Sequence, residues 1–71
     1  MEHLHGHCFQ HYKTSKLYKF IDVARHSETL EEMVVYQQIE DKQVWVRPKE
    51  MFFEEVTYEG KQVPRFKEVE I

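Results

Sequence analysis

A mainly β fold, a small closed or half-closed antiparallel barrel of about five strands with one short helical turn, is what this 71-residue sequence predicts. Three observations predict it. Short runs rich in β-branched and aromatic residues recur along the chain, as in Leu17–Arg25, Met33–Ile39 and Val44–Arg47. Compact polar segments separate them, at Thr14-Ser15-Lys16, Ser27–Glu32, Glu40–Gln43 and Glu59-Gly60. The chain is also too short for a second core, because a domain of this size buries only about 60% of the surface it exposes when unfolded.

The elements follow in order. Residues 1–7 form a flexible tail bearing His3, His5 and His7, and residues 8–71 form the single domain. Cys8–Tyr12 makes a short first strand. In Leu17–Arg25 strict alternation fails, because Phe20 and Ile21 are adjacent and both apolar. A β-bulge, or a strand buried on both faces, accounts for this. The central stretch Val23–Tyr36 sets two apolar runs about a dense polar turn. Thr29-Leu30-Glu31-Glu32 has the form of a helix-capping box, yet Val34-Val35-Tyr36 is β-branched and aromatic. Met33–Ile39 therefore reads as a strand and Ser27–Glu32 as a hairpin turn.

Val44–Arg47 is the next strand, with Trp45 pointing opposite to Val44 and Val46. Pro48 holds Arg47 extended and suits the first position of a helix, so Lys49–Phe52 forms one short helical turn. Met51, Phe52 and Phe53 read as a plug closing one barrel end. Val56–Tyr58 is a strand, Gly60 supplies positive φ for a tight turn, and Lys61–Phe66 returns antiparallel. Pro64 cannot donate to a ladder, which places this return at an edge. Lys67–Ile71 extends that edge or frays.

Charge and cysteine content narrow the function classes. Ten basic residues face 13 acidic ones for a net charge of −3, mixed along the chain. Nonspecific nucleic-acid binders carry a basic excess that neutralises phosphates, so nucleic acid is disfavoured as a partner. It would need Lys13, Lys16, Lys19, Arg25 and Arg47 on one face. Cys8 is the only cysteine, which excludes an internal disulfide framework. The longest apolar run, Met33–Tyr36, is far short of a membrane span, and Met1–His5 lacks the apolar centre of a signal peptide. A soluble cytoplasmic protein is expected.

Taken together, Ala24-Arg-His-Ser-Glu-Thr29, Val34-Val-Tyr36, Trp45-Val-Arg-Pro48, Glu50-Met-Phe52 and Gly60-Lys-x-Val-Pro-Arg-Phe66 resemble the bacterial domain of unknown function 1653 family. The match runs from about His11 to Phe66. It implies a small SH3-like β-barrel and no established activity. Where that family pattern carries a glycine ahead of Val23, this chain has Asp22.

Two constellations are candidate ligand-binding sites. The first is Arg25, His26, Ser27, Glu28 and Thr29, which packs a cation, an imidazole, two hydroxyls and a carboxylate into one loop. Arg25 suits a carboxylate or phosphate, while the plainer reading is that these side chains close the turn. His26 with Glu28 is the only acid–base pair, and no nucleophile or phosphate loop accompanies it. The second is Trp45, Arg47 and Tyr36 with Tyr18 and Tyr12, where rings interleaved with a cation suit stacking, the alternative being that they fill an aliphatic-poor core. His3, His5, His7 and His11, with Cys8, have the alternate spacing of a weak metal-chelating tail, without a fixed second shell.

The expectation is a non-enzymatic binding module without a cofactor, for a protein, peptide or small anionic ligand, with a recognition surface joining the 25–29 loop to Trp45 and Arg47. The alternatives are a structural or oligomerising domain pairing through an edge near Val63–Phe66, as a monomer or weak homodimer, and a nucleotide- or nucleic-acid-binding accessory domain.

Overall fold

The computed structural model describes residues 6–70. The elements are β1 (Cys8–His11), β2 (Leu17–Arg25), β3 (Glu32–Gln38), β4 (Val44–Pro48), α1 (Lys49–Phe52), β5 (Glu55–Tyr58), β6 (Lys61–Pro64) and β7 (Phe66–Val69). The first four strands and the helical turn lie where the sequence places them. Gly6 and His7, assigned from sequence to the tail, are already fixed to β2. The Gly6 N–H donates to Phe20 O at 2.8 Å, and the Phe20 N–H donates to His7 O at 2.8 Å.

Five strands form one antiparallel sheet in the order β4-β3-β2-β1-β7, and β5 and β6 form a separate two-stranded sheet. The sheet is not closed into a barrel, which corrects the barrel expectation. Closure requires a strand to pair with the outer edge of β4. The chain instead turns through α1 directly after β4, and β5 then pairs with β6. The Lys61–Phe66 return is likewise interrupted at Arg65. β6 stays with β5, while β7 crosses to pair with β1 and becomes the sheet's other edge. Single backbone bonds from Arg65 N–H to Glu54 O (2.9 Å) and from Tyr12 N–H to Arg65 O (3.0 Å) stitch the crossing.

The adjacent apolar pair in β2 is a bulge. The β2–β3 register skips from Phe20↔Tyr36 to Asp22↔Val35, which leaves Ile21 as the extra residue. Both Phe20 and Val23 thereby keep to the core side of the sheet, opposite Tyr36 and Val34. Asp22 follows the bulge without positive φ, and its side chain accepts from the Val23 N–H at 2.8 Å. A glycine is not required there.

The core is aromatic: Phe9, Phe20, Val34, Tyr36, Phe52 and Phe66 are its buried hydrophobics. Phe52, delivered by α1, stacks on Phe66 with centroids 4.3 Å apart and planes 6° from parallel. It also meets Phe9 edge-on at 5.3 Å. Only Phe52 acts as the plug. Of the other two residues grouped with it by sequence, Met51 is exposed, and Phe53, 37% exposed, packs its ring against Phe52 at 5.0 Å and Phe20 at 6.5 Å from the rim of the core, because one turn of helix turns a single side chain squarely inward.

Candidate functional site

The 25–29 loop was the densest polar feature of the sequence, and its groups are bonded to one another. The His26 N–H donates to Glu31 O at 2.8 Å and the Leu30 N–H to His26 O at 2.9 Å, closing the β2–β3 hairpin. His26 Nδ1 accepts from the Glu28 and Thr29 N–H groups at 3.1 and 3.3 Å. Thr29 Oγ1 accepts from the Glu31 N–H at 3.2 Å, and Arg25 Nη1 donates to Leu30 O at 2.9 Å. His26 Nδ1 thus faces main-chain donors rather than the Glu28 carboxylate. The pair does not form an acid–base dyad.

The same turn occurs twice more. Between β1 and β2, the His11 N–H donates to Lys16 O and the Ser15 N–H to His11 O, both at 3.0 Å. His11 Nδ1 accepts from the Lys13 and Thr14 N–H groups, Thr14 Oγ1 from the Lys16 N–H, and Gln10 Nε2 reaches Ser15 O at 3.1 Å. Between β3 and β4, Gln38 and Gln43 close the loop, Asp41 Oδ1 accepts from the Gln43 N–H, and Gln37 Nε2 reaches Lys42 O at 2.9 Å. The last loop residue has positive φ in each case: 62° at Ser15, 64° at Leu30 and 62° at Lys42. Arg25, His26 and Thr29 therefore play the parts of Gln10, His11 and Thr14, and Arg25 and Thr29 those of Gln37 and Asp41. Ser27 and Glu28 are exposed within the loop.

The second constellation does come together. Tyr36 pairs with Trp45 across β3–β4, and Val34 with Arg47, which puts Trp45 and Arg47 on the core side of the sheet edge. Tyr18 meets Tyr36 edge-on at 5.4 Å. Tyr18, Tyr36, Trp45 and Arg47 line a groove of about 190 Å³. Tyr36 is buried and forms its floor, Tyr18 is half-buried, and Trp45 remains 50% exposed as one wall. Arg47 Nε donates to Tyr36 Oη at 3.4 Å, and its guanidinium lies 5.7 Å from the centroid of the Phe66 ring. The cation is thereby held against two rings. Burial raises the Tyr18 phenol above its ordinary value, with further upward contributions from Tyr36 and Asp41, while Arg47 acts in the opposite sense. Tyr18 stays a neutral donor at physiological pH. Tyr12 lies outside this group and packs edge-on against Tyr58 at 5.4 Å.

The loop and the groove do not join. The His26–Glu31 closing pair lies three residues along β3 from Val34, the partner of Arg47, and five from Tyr36, the partner of Trp45, about 10 and 17 Å at the rise of a strand. Arg25 lines a different cleft of about 480 Å³ with Leu30, Glu32, Lys49 and Phe53, across which Lys49 pairs with Glu32 at 3.3 Å. The basic residues do not share a face either: Lys19 sits opposite Gln37 on the outer face, and Arg47 opposite Val34 on the inner one. Of the histidine series, His3 and His5 lie outside the described residues, His7 Nδ1 pairs with the Glu68 carboxylate, and His11 belongs to the first turn. Among the described residues, no group of three or more His, Cys, Asp or Glu side chains is placed to hold a metal ion.

A family described as protein of unknown function, DUF1653, matches residues 7–68. The chain belongs to the DUF1653 family. No curated protein and no solved structure matches it. The match begins at His7, the residue whose carbonyl first pairs with β2, and ends within β7. The DUF1653 unit thus coincides with the hydrogen-bonded sheet. No helix among its described residues is long and apolar enough to cross a membrane.

Proposed function

We propose that this DUF1653 chain is a non-catalytic binding module whose contact surface is the Tyr18–Tyr36–Trp45–Arg47 groove. The supporting observation is Trp45: an indole half in solvent, beside a cation already positioned by Tyr36 and Phe66. Among the described residues, the only hydrogen bond of the Arg47 guanidinium is that of Nε to Tyr36, which leaves its Nη donors for a ligand. A ligand presenting a planar or apolar group to Trp45 and a carboxylate to Arg47, such as a short acidic peptide, matches this pairing. The His26 geometry speaks against acid–base chemistry, and the placement of Lys19 on the sheet face opposite to Arg25 and Arg47 against a nucleic-acid track through all of them. The lone thiol of Cys8 accords with a reducing, cytoplasmic setting.

An NMR shift-perturbation screen against peptides, nucleotides, oligonucleotides and divalent metals tests this reading. Perturbations centred on Tyr18, Tyr36 and the Trp45 indole are expected with acidic peptides. They should vanish in Trp45→Ala and Arg47→Ala, with Trp45→Ala still folded and destabilised by about 0.5–3 kcal/mol because only half of the side chain is buried. Perturbations confined to residues 25–30 would transfer the function to the loop.

A further inference from the structure

The two edges of the main sheet are guarded to different degrees. On β7 the residues between Phe66 and Val69 are Lys67 and Glu68, and Pro64 lies just before it. Charges and proline are the usual means of keeping an edge from pairing with another chain. On β4 the charge and the proline come only at its end, as Arg47 and Pro48, and the run Val44-Trp45-Val46 before them carries neither, with side chains 46%, 50% and 58% exposed.

The backbone direction of β4 can be fixed. The Gln38 N–H bonds Gln43 O, so by antiparallel alternation the hydrogen-bonded pairs continue at Tyr36/Trp45 and Val34/Arg47. The main-chain N–H and C=O groups of Val44 and Val46 therefore point away from β3, to the open edge. Gln43 Nε2 donates to Val44 O at 3.1 Å, which uses one of that oxygen's two lone pairs.

We propose that β4 is a self-association edge whose partner is β4 of a second copy, paired antiparallel about a two-fold axis at Trp45. In this register Val44 of each copy faces Val46 of the other, and their outward N–H and C=O groups exchange hydrogen bonds in both directions. The two Trp45 residues form the central non-hydrogen-bonded pair, in which cross-strand side chains approach most closely. Arg47 of each copy faces Gln43 of the other, so no like charges meet. This self-complementarity favours a second copy over an unrelated strand, since an isologous interface needs one patch to match itself. Pro48 ends the ladder, which makes the contact short and the dimer weak and concentration-dependent. The ten-stranded sheet so formed would set the two Trp45 grooves side by side.

The pairing is tested on the full chain by sedimentation velocity from micromolar to millimolar concentration. A monomer–dimer equilibrium is expected, abolished by Val46→Lys, whose charge lies on the outer face and leaves the groove intact. Peptide-induced shifts in the groove of Val46→Lys separate this proposal from the ligand reading. The register is tested in a Cys8→Ser background: Trp45→Cys should oxidise to an intermolecular disulfide, and Lys67→Cys, on the guarded edge, should not. A strict monomer at millimolar concentration, or equal cross-linking at both positions, overturns the proposal.

Discussion

The loop at residues 25–31 and the groove at Tyr18, Tyr36, Trp45 and Arg47 share the β2–β3 hairpin, to which β4 adds Trp45 and Arg47 in the groove, and they differ in where their polar groups point. In the loop, the Arg25, His26 and Thr29 side chains satisfy main-chain groups within the turn. In the groove, Tyr36 is part of the core, while Trp45 stays half in solvent and Arg47 retains free donors. Density of chemically able side chains is thus a poor guide to a site. A better one is what remains unengaged once the fold has used what it needs.

The largest expected effect tests the floor of the groove. Tyr36→Ala removes a buried ring that packs on Tyr18, Phe52 and Phe66, and should cost about 3–5 kcal/mol. In a domain of this size such a loss abolishes the folded state, which denaturant titration would show. Tyr36→Phe keeps the ring and deletes only the Arg47 partner, so it should fold with a loss nearer about 1 kcal/mol. If both variants are equally unstable, the distinction between floor and wall fails.

The loop offers a sharper test because it has internal controls. Thr29→Ala and Thr14→Ala remove the same bond from two copies of one turn, and each should lower stability by about 1 kcal/mol. A matching loss in both, with groove binding unaltered, identifies the loop as a turn. A markedly different effect of Thr29→Ala on ligand binding would separate the copies and restore a recognition role. Leu30 adds a smaller effect of opposite sign. It holds left-handed backbone with its side chain 60% exposed, a conformation that disfavours residues with a Cβ. Leu30→Gly should therefore raise the melting temperature, by an amount equivalent to no more than about 1 kcal/mol after the added chain entropy of glycine.

Much of this architecture is legible in the sequence because its signals are local. The β-branched runs, the Pro48 stop before α1 and the Phe20-Ile21 anomaly at the bulge each depend on adjacent residues. Closure of the sheet is not local. It depends on whether β5 reaches the edge of β4, and nothing in Lys49–Glu55 encodes the direction in which one helical turn releases the chain. The division of Lys61–Val69 at Arg65 escaped for the same reason, since β7 is defined by its distant partner β1. For the site, alternation along β4 puts Trp45 and Arg47 on one face, whereas joining them to Tyr36 and Tyr18, leaving out Tyr12 and separating Arg25 all depend on the register between strands. The turn itself has a sequence signal, because His-x-x-Thr occurs at both 11–14 and 26–29. That recurrence already marks the second copy as a turn.

The same recurrence makes pH the finest probe of the turns. His11 Nδ1 accepts two main-chain N–H groups, and a proton on that nitrogen would replace acceptance with repulsion. Burial, followed by the nearby charges of Arg47, Arg65 and Lys13, holds the His11 imidazole below its ordinary value of 6.5. The unfolded chain therefore takes up this proton before the folded one does. The His11 contribution to stability is intact above about pH 6.5 and declines as pH falls through the lowered folded value. Melting temperatures measured downward from neutral pH should show this decline superimposed on the titration of the other groups. The third turn supplies the control, because Gln38 occupies the position of His11 there without a titrating ring. His11→Gln should fold and flatten the slope between neutral and mildly acid pH, whereas an unchanged slope would move the titration to other groups.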